Sequence, residues 1–306
     1  MNAPLDKSLL EEVALLKSSI NEAFIEKDWF VTQVIKTIAG NPYLDFLIVF
    51  TGGTALSKAH KLIERFSEDI DFRIIAPRLA NQGVSVIRKS LSEFKYYLIE
   101  LLSQEFEVLN ITARDNNRYL KIDLAYPTVC NPTDALRPHI KLEFVLSDLL
   151  LPFVDLPVSS IINEVAGKPP EVNRIACINP VENAADKLSA LVWRVPSRIR
   201  GENDKQPEIV RHLHDLAKLS KAILAHNDFS EIAKITVERD TNRAVEIQGL
   251  AISEKLDLML QILQTDAQYF QEYDTYVKAM VYSDSVTVPT FTEAIANVQG
   301  ILSKIR

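Results

Sequence analysis

Apolar residues recur at three- and four-residue spacing from Lys7 onward, at Leu9, Leu10, Val13, Leu16 and Ile20. The pattern resumes between Lys27 and Ala39 and stops at Gly40-Asn41-Pro42. Such spacing predicts two helices, because a 3.6-residue repeat puts these positions on one face. Phe46–Phe50 is a short continuous apolar run ending in Thr51-Gly52-Gly53. It predicts a buried strand entering a glycine turn, with a helix over 54–62 beyond it. Ile70–Ile74 alternates as a strand does, Val84–Gln104 has helical spacing, and strands are predicted at 106–112, 119–125 and 139–146, with a loop over 126–138. After Leu150, Pro152, Pro157, Pro169, Pro170 and Pro180 crowd into a stretch of little periodicity. From Val181 the pattern is helical, over 181–195, 206–224, 228–240, one long helix at 251–280, and 289–304. The fold class predicted is α+β with mixed strands and helices over residues 1–165, followed by an α-helical C-terminal domain over 166–306.

Composition narrows the function classes. With 47% hydrophobic and 25% charged residues in 306, the chain can bury real cores and is not a disordered tail. The 34 Lys+Arg against 41 Asp+Glu give a net charge of −7, which excludes a uniformly basic nucleic-acid coat but leaves room for a local basic patch. Cys130 and Cys177 have no further Cys or His at metal-ligand spacing, so no zinc site is read and a reducing compartment is expected. The first residues have neither a basic start nor an apolar core, and the longest apolar runs are far below the roughly 18 residues a membrane helix needs. No membrane association and a cytoplasmic location are expected.

Candidate chemistry concentrates at Gly52-Gly53-Thr54 and at Arg65-Phe66-Ser67-Glu68-Asp69-Ile70-Asp71. Paired glycines between a strand and a helix let the backbone approach a ligand, and the helix start offers N–H groups to phosphate oxygens. Asp69 and Asp71 on a strand point to one face and repel each other unless a cation lies between them. Magnesium suits hard carboxylate oxygens and takes substrate phosphates as further ligands, so the combination points to phosphoryl or nucleotidyl transfer. A third acid is sought on a neighbouring strand; Glu143 in Lys141-Leu142-Glu143 is favoured, with Asp123 in Lys121-Ile122-Asp123 as the reserve. Farther on, Asn183, Lys187, Ala190 and Arg194 share one helix face, and Arg211, Asp215 and Lys218 another.

These blocks resemble the AbiEii-like (MenT-like) nucleotidyltransferase toxins of bacterial abortive-infection and type IV toxin–antitoxin systems. The resemblance rests on Gly52-Gly53-Thr54-Ala55-Leu56, the Arg65–Asp71 run, Lys141-Leu142-Glu143, Glu182-Asn183-Ala184-Ala185-Asp186-Lys187-Leu188-Ser189-Ala190 and Arg211-His212-Leu213-His214-Asp215-Leu216. It covers roughly residues 45 to 220, and the Arg-Phe-Ser-Glu-Asp-Ile-Asp run is its most specific part. The family's last block commonly begins Arg-Asp, whereas here His212 follows Arg211. The resemblance implies a polymerase-β-like nucleotidyltransferase core whose cleft the helical domain completes. Asp69 and Asp71 would be Mg2+ ligands, with Glu143 in the place of the third acid. Gly52, Gly53, Thr54 and Ser67 would lie against the nucleotide, and Ser67 could itself be modified. Lys187 would contact the triphosphate, and Asp215 would orient that lysine or assist the attacking group.

Family members are similar to enzymes that add nucleotides from an NTP to the 3′ end of tRNA and so block translation. Arg194, Arg198, Arg200, Lys205 and Arg211 form a candidate RNA-binding track, with Trp193 as a base platform. A cognate antitoxin encoded nearby is implied. The competing readings are nucleotidyl transfer to a small molecule or protein, and a noncatalytic module of the same fold that binds RNA or a partner.

Overall fold

The computed structural model describes residues 3–17, 20–43, 45–131, 133, 135–201, 204, 209–282 and 288–306. It divides into two compact units, one of residues 1–61 and 66–178, the other of residues 62–65 and 179–306. The division thus follows Ile178, later than the expected 165/166. The cause is two strands in the proline-rich stretch, β6 (Val154–Val158) and β7 (Val172–Cys177), which pair with each other and through β7 with β1. The prolines obscured them. Pro157 sits in β6, the last strand of the sheet, at the irregularity between Leu156 and Val158 where the β6–β7 register shifts, a position that tolerates a missing N–H.

The first unit opens with α1 (Lys7–Leu16) and α2 (Glu22–Gly40), then β1 (Leu47–Thr51) and a short helical segment made of α3 (Gly52–Thr54) and a π-helical turn, Ala55–Ala59. There follow β2 (Asp69–Ile75), α4 (Val84–Ser103), β3 (Glu107–Arg114), β4 (Tyr119–Ala125), β5 (Ile140–Leu146), then β6, α5 (Ile161–Val165) and β7. The sheet has seven strands in the order β3-β4-β5-β2-β1-β7-β6. It is mixed: β2 lies antiparallel to β1 and parallel to β5, which is antiparallel to β4.

Strand alternation divides the sheet into two chemically opposite faces. Ile70, Phe72 and Ile74 of β2, Leu120, Ile122 and Leu124 of β4, and Leu142 and Phe144 of β5 are buried in one core with Phe30, Val34 and Ile38 of α2 and Leu91, Phe94 and Leu98 of α4. Phe72 and Phe144 stack with ring centroids 5.1 Å apart. The intervening positions, Asp69 and Asp71, Lys121 and Asp123, and Lys141 and Glu143, are thereby committed to the other face.

The second unit is helical, with α6 (Pro180–Arg194), α7 (Val210–Ala225), α8 (Phe229–Asp240), α9 (Ile252–Thr265), α10 (Ala267–Met280) and α11 (Phe291–Ile305). The long helix expected at 251–280 is two helices. Asp266 is extended and its side chain accepts from the Gln268 backbone N–H at 3.0 Å, starting a new helix. Among the described residues no helix is long and apolar enough to cross a membrane.

Candidate active site

The carboxylates singled out in the sequence lie on the polar face of the first unit's sheet. Asp71 is the register partner of Glu143 across the β2–β5 pair, and Asp69 is the partner of Lys141. One strand further, Lys141 faces Asp123 and Glu143 faces Lys121. Glu143 is therefore the acid beside Asp71, and Asp123 is separated from Asp69 by the whole width of β5. Asp123 is also engaged elsewhere, by Lys121 at 2.9 Å, the Asn110 amide at 3.2 Å and His139 at 3.7 Å.

Two cations missed in the sequence reading stand among these acids. The Lys141 ammonium is 3.1 Å from Asp69 Oδ2 and 3.0 Å from Glu143 Oε1, and Arg137 forms an ion pair with Asp69 Oδ1. Burial opposes the charged form of Lys141, but Asp69, Glu143 and Asp71 outweigh it and hold its pKa above the ordinary lysine value. The Tyr119 hydroxyl bonds Glu143; burial first, and then Glu143, push this phenol upward. Among the described residues no three His, Cys, Asp or Glu side chains converge closely enough to hold a metal ion. The donor chemistry nevertheless fits a hard divalent ion: Asp69 and Asp71 occupy alternate positions of one strand with Glu143 alongside.

The glycine turn is moulded on this face. Gly52 has φ +76°, and a Cβ placed there would lie 2.1 Å from Asp71 Oδ2. Only a residue without a side chain lets the carboxylate sit against the turn. Thr54 is fully buried, and its hydroxyl donates to the Asp69 carbonyl and, at 3.4 Å, to that of Ser67. Thr54 therefore ties the turn to the start of β2. Gly53 is buried beside it, and Ser67 is half-buried.

A buried brace stands behind the acids. Glu26, Lys27 and Asp28 are consecutive in α2 and only 1%, 0% and 7% exposed. Glu26 accepts from the Thr128 hydroxyl at 2.5 Å and the Val129 N–H at 2.8 Å. Lys27 donates to Glu68 at 2.5 Å and to the Arg137 carbonyl at 2.7 Å, while the Arg137 N–H donates to Glu68 at 2.8 Å. Asp28 pairs with Lys58 and accepts from the Ile161 N–H at 2.8 Å. The sequence did carry a signal: three charges in a row flanked by Phe24-Ile25 and Trp29-Phe30.

In the helical unit, Lys187 and Asp215 come together. Lys187 Nζ is 2.7 Å from Asp215 Oδ2, and Arg65 grips both oxygens, with Nε to Oδ1 at 2.6 Å and Nη2 to Oδ2 at 2.7 Å. Asp215 is 0% exposed. Burial would raise its pKa, but Arg65 and Lys187 outweigh that and hold it well below the usual carboxylate value. Burial lowers the Lys187 pKa against the pull of Asp215. Of the two parts suggested for Asp215, this geometry fits orientation of the lysine. Arg65 stood in the recognised run without an assigned part; it is the bidentate partner that fixes Asp215.

Two of the five residues of the expected RNA track, Arg198 and Arg200, are engaged in internal ion pairs. The Arg198 side chain is 3% exposed and binds Asp204 at 2.7 Å and Glu272 at 2.7 Å; Arg200 binds Glu272 at 3.0 Å and pairs with Asp266. Both arginines also lie over the Tyr269 ring. They fasten the segment after α6 to α10, a tertiary pairing that a local reading of basic residues cannot foresee. Arg194 lies 4.8 Å from the centre of the Trp193 ring and Arg243 lies 5.6 Å from it, so that ring already carries cations. Arg194 and Arg211 are half-buried, and Lys205 lies outside the described residues.

A mixed sheet with a glycine turn after its first strand, and carboxylates at alternate positions of the next, defines an α+β nucleotidyltransferase fold. The sequence profile described as "Nucleotidyl transferase AbiEii toxin, Type IV TA system" matches residues 39–297, and the chain belongs to that family of nucleotidyltransferase toxins. Among solved structures it is similar to MenT4, a nucleotidyltransferase toxin of Mycobacterium tuberculosis H37Rv, at 17% identity and TM-score 0.54 over 99% of both chains. A STING-associated CdnE c-di-GMP synthase from Capnocytophaga granulosa matches at 11% identity and TM-score 0.29 over 98% of this chain and 85% of that one, too low to carry an argument. No curated protein matches the sequence.

Proposed function

We propose that the protein transfers a nucleoside monophosphate from an NTP to an RNA acceptor, the 3′ end of tRNA, in a magnesium-dependent reaction that stops translation and growth. The observation that carries the chemistry is the register of β2 and β5, which puts Asp69, Asp71 and Glu143 on one face with Gly52 packed against Asp71. Asp69 and Asp71 would hold the ion, with Glu143 drawn in from the adjacent strand, and the ion would supply charge neutralisation at the reacting phosphate. Thr54 and the glycine turn fix the strand that carries Asp69 and Asp71. Tyr119 and Lys141 fix Glu143. Lys187, set by Asp215 and Arg65, takes the part of triphosphate contact that the resemblance implies. Most of the rate enhancement then comes from positioning and electrostatics. The protein acts in the cytoplasm, and its partner is a cognate antitoxin encoded nearby; the type IV toxin–antitoxin family supports that part of the reading.

A second acceptor class has an observation in its favour. Because Arg198 and Arg200 are neutralised by Glu272, Asp204 and Asp266, the basic track is weaker than its sequence suggests, which favours a small-molecule or protein acceptor. One experiment separates the readings: purified protein, magnesium, total tRNA and each α-labelled NTP in turn, with Asp69→Ala protein as control. Labelled tRNA made only by the unmutated chain supports the proposal. Label on the protein itself, or on neither, moves the acceptor elsewhere, and transfer by Asp69→Ala protein at the full rate overturns the site assignment.

A further inference from the structure

We propose that Arg137, on the loop between β4 and β5, is a phosphate-binding residue for the triphosphate of the nucleotide, and that Lys27 of α2 is the residue that positions it. The inference rests on the nucleotidyl-transfer reading above and adds a cation that neither the sequence motifs nor the family blocks contain.

The Arg137 backbone is pinned on both sides. Its N–H donates to Glu68 Oε2 at 2.8 Å, its carbonyl accepts from Lys27 Nζ at 2.7 Å, and Lys27 and Glu68 bond each other at 2.5 Å. Glu68 precedes Asp69 in the chain, so one buried triangle fixes the loop to the strand that carries the acids. Lys27 is 0% exposed, and burial lowers its pKa against the field of Glu68. Burying a lysine and a glutamate costs several kcal/mol per ion before their attraction is counted, so an apolar pair would hold a plain loop at least as well. What the ionic triangle adds is a fixed direction for the Arg137 side chain.

That side chain reaches Asp69 Oδ1 and is 34% exposed, whereas Lys141, on the other oxygen of Asp69, is 20% exposed and is shared with Glu143. Arg137 thus approaches the acid row from its more open side, presenting planar donors that match phosphate oxygens in pairs. Were Asp69 to hold a divalent ion, Arg137 would keep Glu68 Oε1 at 3.7 Å, and its planar donors would share the charge of the phosphate oxygens with the ion.

The test is equilibrium binding of inorganic tripolyphosphate, with magnesium, to the full chain by calorimetry, alongside the thermal midpoint. Tripolyphosphate has no base or sugar, so the unknown nucleotide preference does not enter. The expected result is that Arg137→Ala weakens tripolyphosphate at least tenfold at an unchanged midpoint, and that Arg137→Lys falls between it and the unmutated chain. Lys27→Met weakens binding on its own but adds nothing in the Arg137→Ala background, since a positioning residue acts only through its partner. Unmutated protein that binds tripolyphosphate as tightly as Arg137→Ala protein overturns the role of Arg137 and leaves the nucleotidyl-transfer reading intact. Additive losses overturn the role of Lys27. Unmutated protein that binds neither tripolyphosphate nor any NTP overturns the parent reading and Arg137 with it. If Lys27→Met fails to fold because Glu68 is left buried without its cation, the two Arg137 variants on the half-exposed loop still decide the proposal.

Discussion

Replacing Gly52 by alanine tests whether the glycine turn exists to accommodate Asp71. Two costs add at this position. An L-residue at φ +76° is in the left-handed region, a penalty of about 1–2 kcal/mol. The new Cβ would also lie 2.1 Å from Asp71 Oδ2, 2.9 Å from its Cγ and 3.0 Å from its Cβ. Rotating the carboxylate relieves the first contact but not the last, so β2 itself must shift by a few tenths of an ångström. The expected destabilisation is on the order of 2–3 kcal/mol. Function should suffer more than stability, because displacing a reacting group by about 1 Å can cost roughly 100-fold in rate. Urea unfolding followed by circular dichroism gives the first quantity, and NTP-dependent label transfer at a temperature where the variant stays folded gives the second. Gly40→Ala is the control: Gly40 ends α2 with nothing within 4 Å of an added Cβ, so alanine there should be neutral or up to about 1 kcal/mol stabilising. A Gly52→Ala protein with the unmutated midpoint and transfer rate would refute the reasoning, since it would mean that Asp71 does not need this backbone.

Other expectations follow from the same geometry. Glu143→Gln should lower metal-dependent turnover by roughly 100-fold while Asp123→Asn leaves it within a few-fold, because only Glu143 is the register partner of Asp71; equal losses in a side-by-side rate assay would contradict this. His212 is held neutral, its pKa well below 6.5 first through burial and then through Lys187, Arg211 and Arg194. Below pH 6.5 the unfolded chain therefore takes up a proton that the folded chain refuses, and stability should fall by about 1.4 kcal/mol per pH unit until the folded pKa is reached. Urea midpoints at pH 7, 6 and 5 should show that slope reduced in His212→Gln, and an unchanged slope would rule His212 out as its source. Arg198→Ala should cost about 2–3 kcal/mol by removing a nearly buried guanidinium from Asp204 and Glu272, the latter keeping Arg200, without changing RNA affinity in a filter-binding assay; a large loss of RNA binding at unchanged stability would restore Arg198 to the acceptor track.

Much of this protein was legible from local pattern. Strand alternation in β2, β4 and β5 follows from the apolar sequence alone, and it commits Asp69, Asp71 and Glu143 to one face whichever strands become neighbours. The glycine turn was readable for a similar reason, since paired glycines directly after a continuous apolar run mark a strand running into a turn. Elements set by distant partners were not readable. β6 and β7 exist because they complete a sheet, and the division at Asp266 depends on one cap. α2 begins at Glu22, five residues before the predicted stretch, because the Asn21 side chain caps it by accepting from the Ala23 N–H, and the charges at 26–28 are buried against Glu68, Lys58 and two loops. Register had the same origin: sequence favoured Glu143 and kept Asp123 in reserve, and only the pairing of β2 with β5 puts Glu143 beside Asp71. Charge was the least readable quantity of all. A local sequence lists cations and anions without saying which will meet. Arg137 meets Asp69 across 68 residues and Arg65 meets Asp215 across 150, whereas Arg198 and Arg200, basic neighbours in the chain, are neutralised by α10 and by Asp204 and Asp266. Periodicity is a property of neighbours in the chain and so was fixed by sequence; ion pairing is a property of neighbours in space, and the tertiary fold alone decided it.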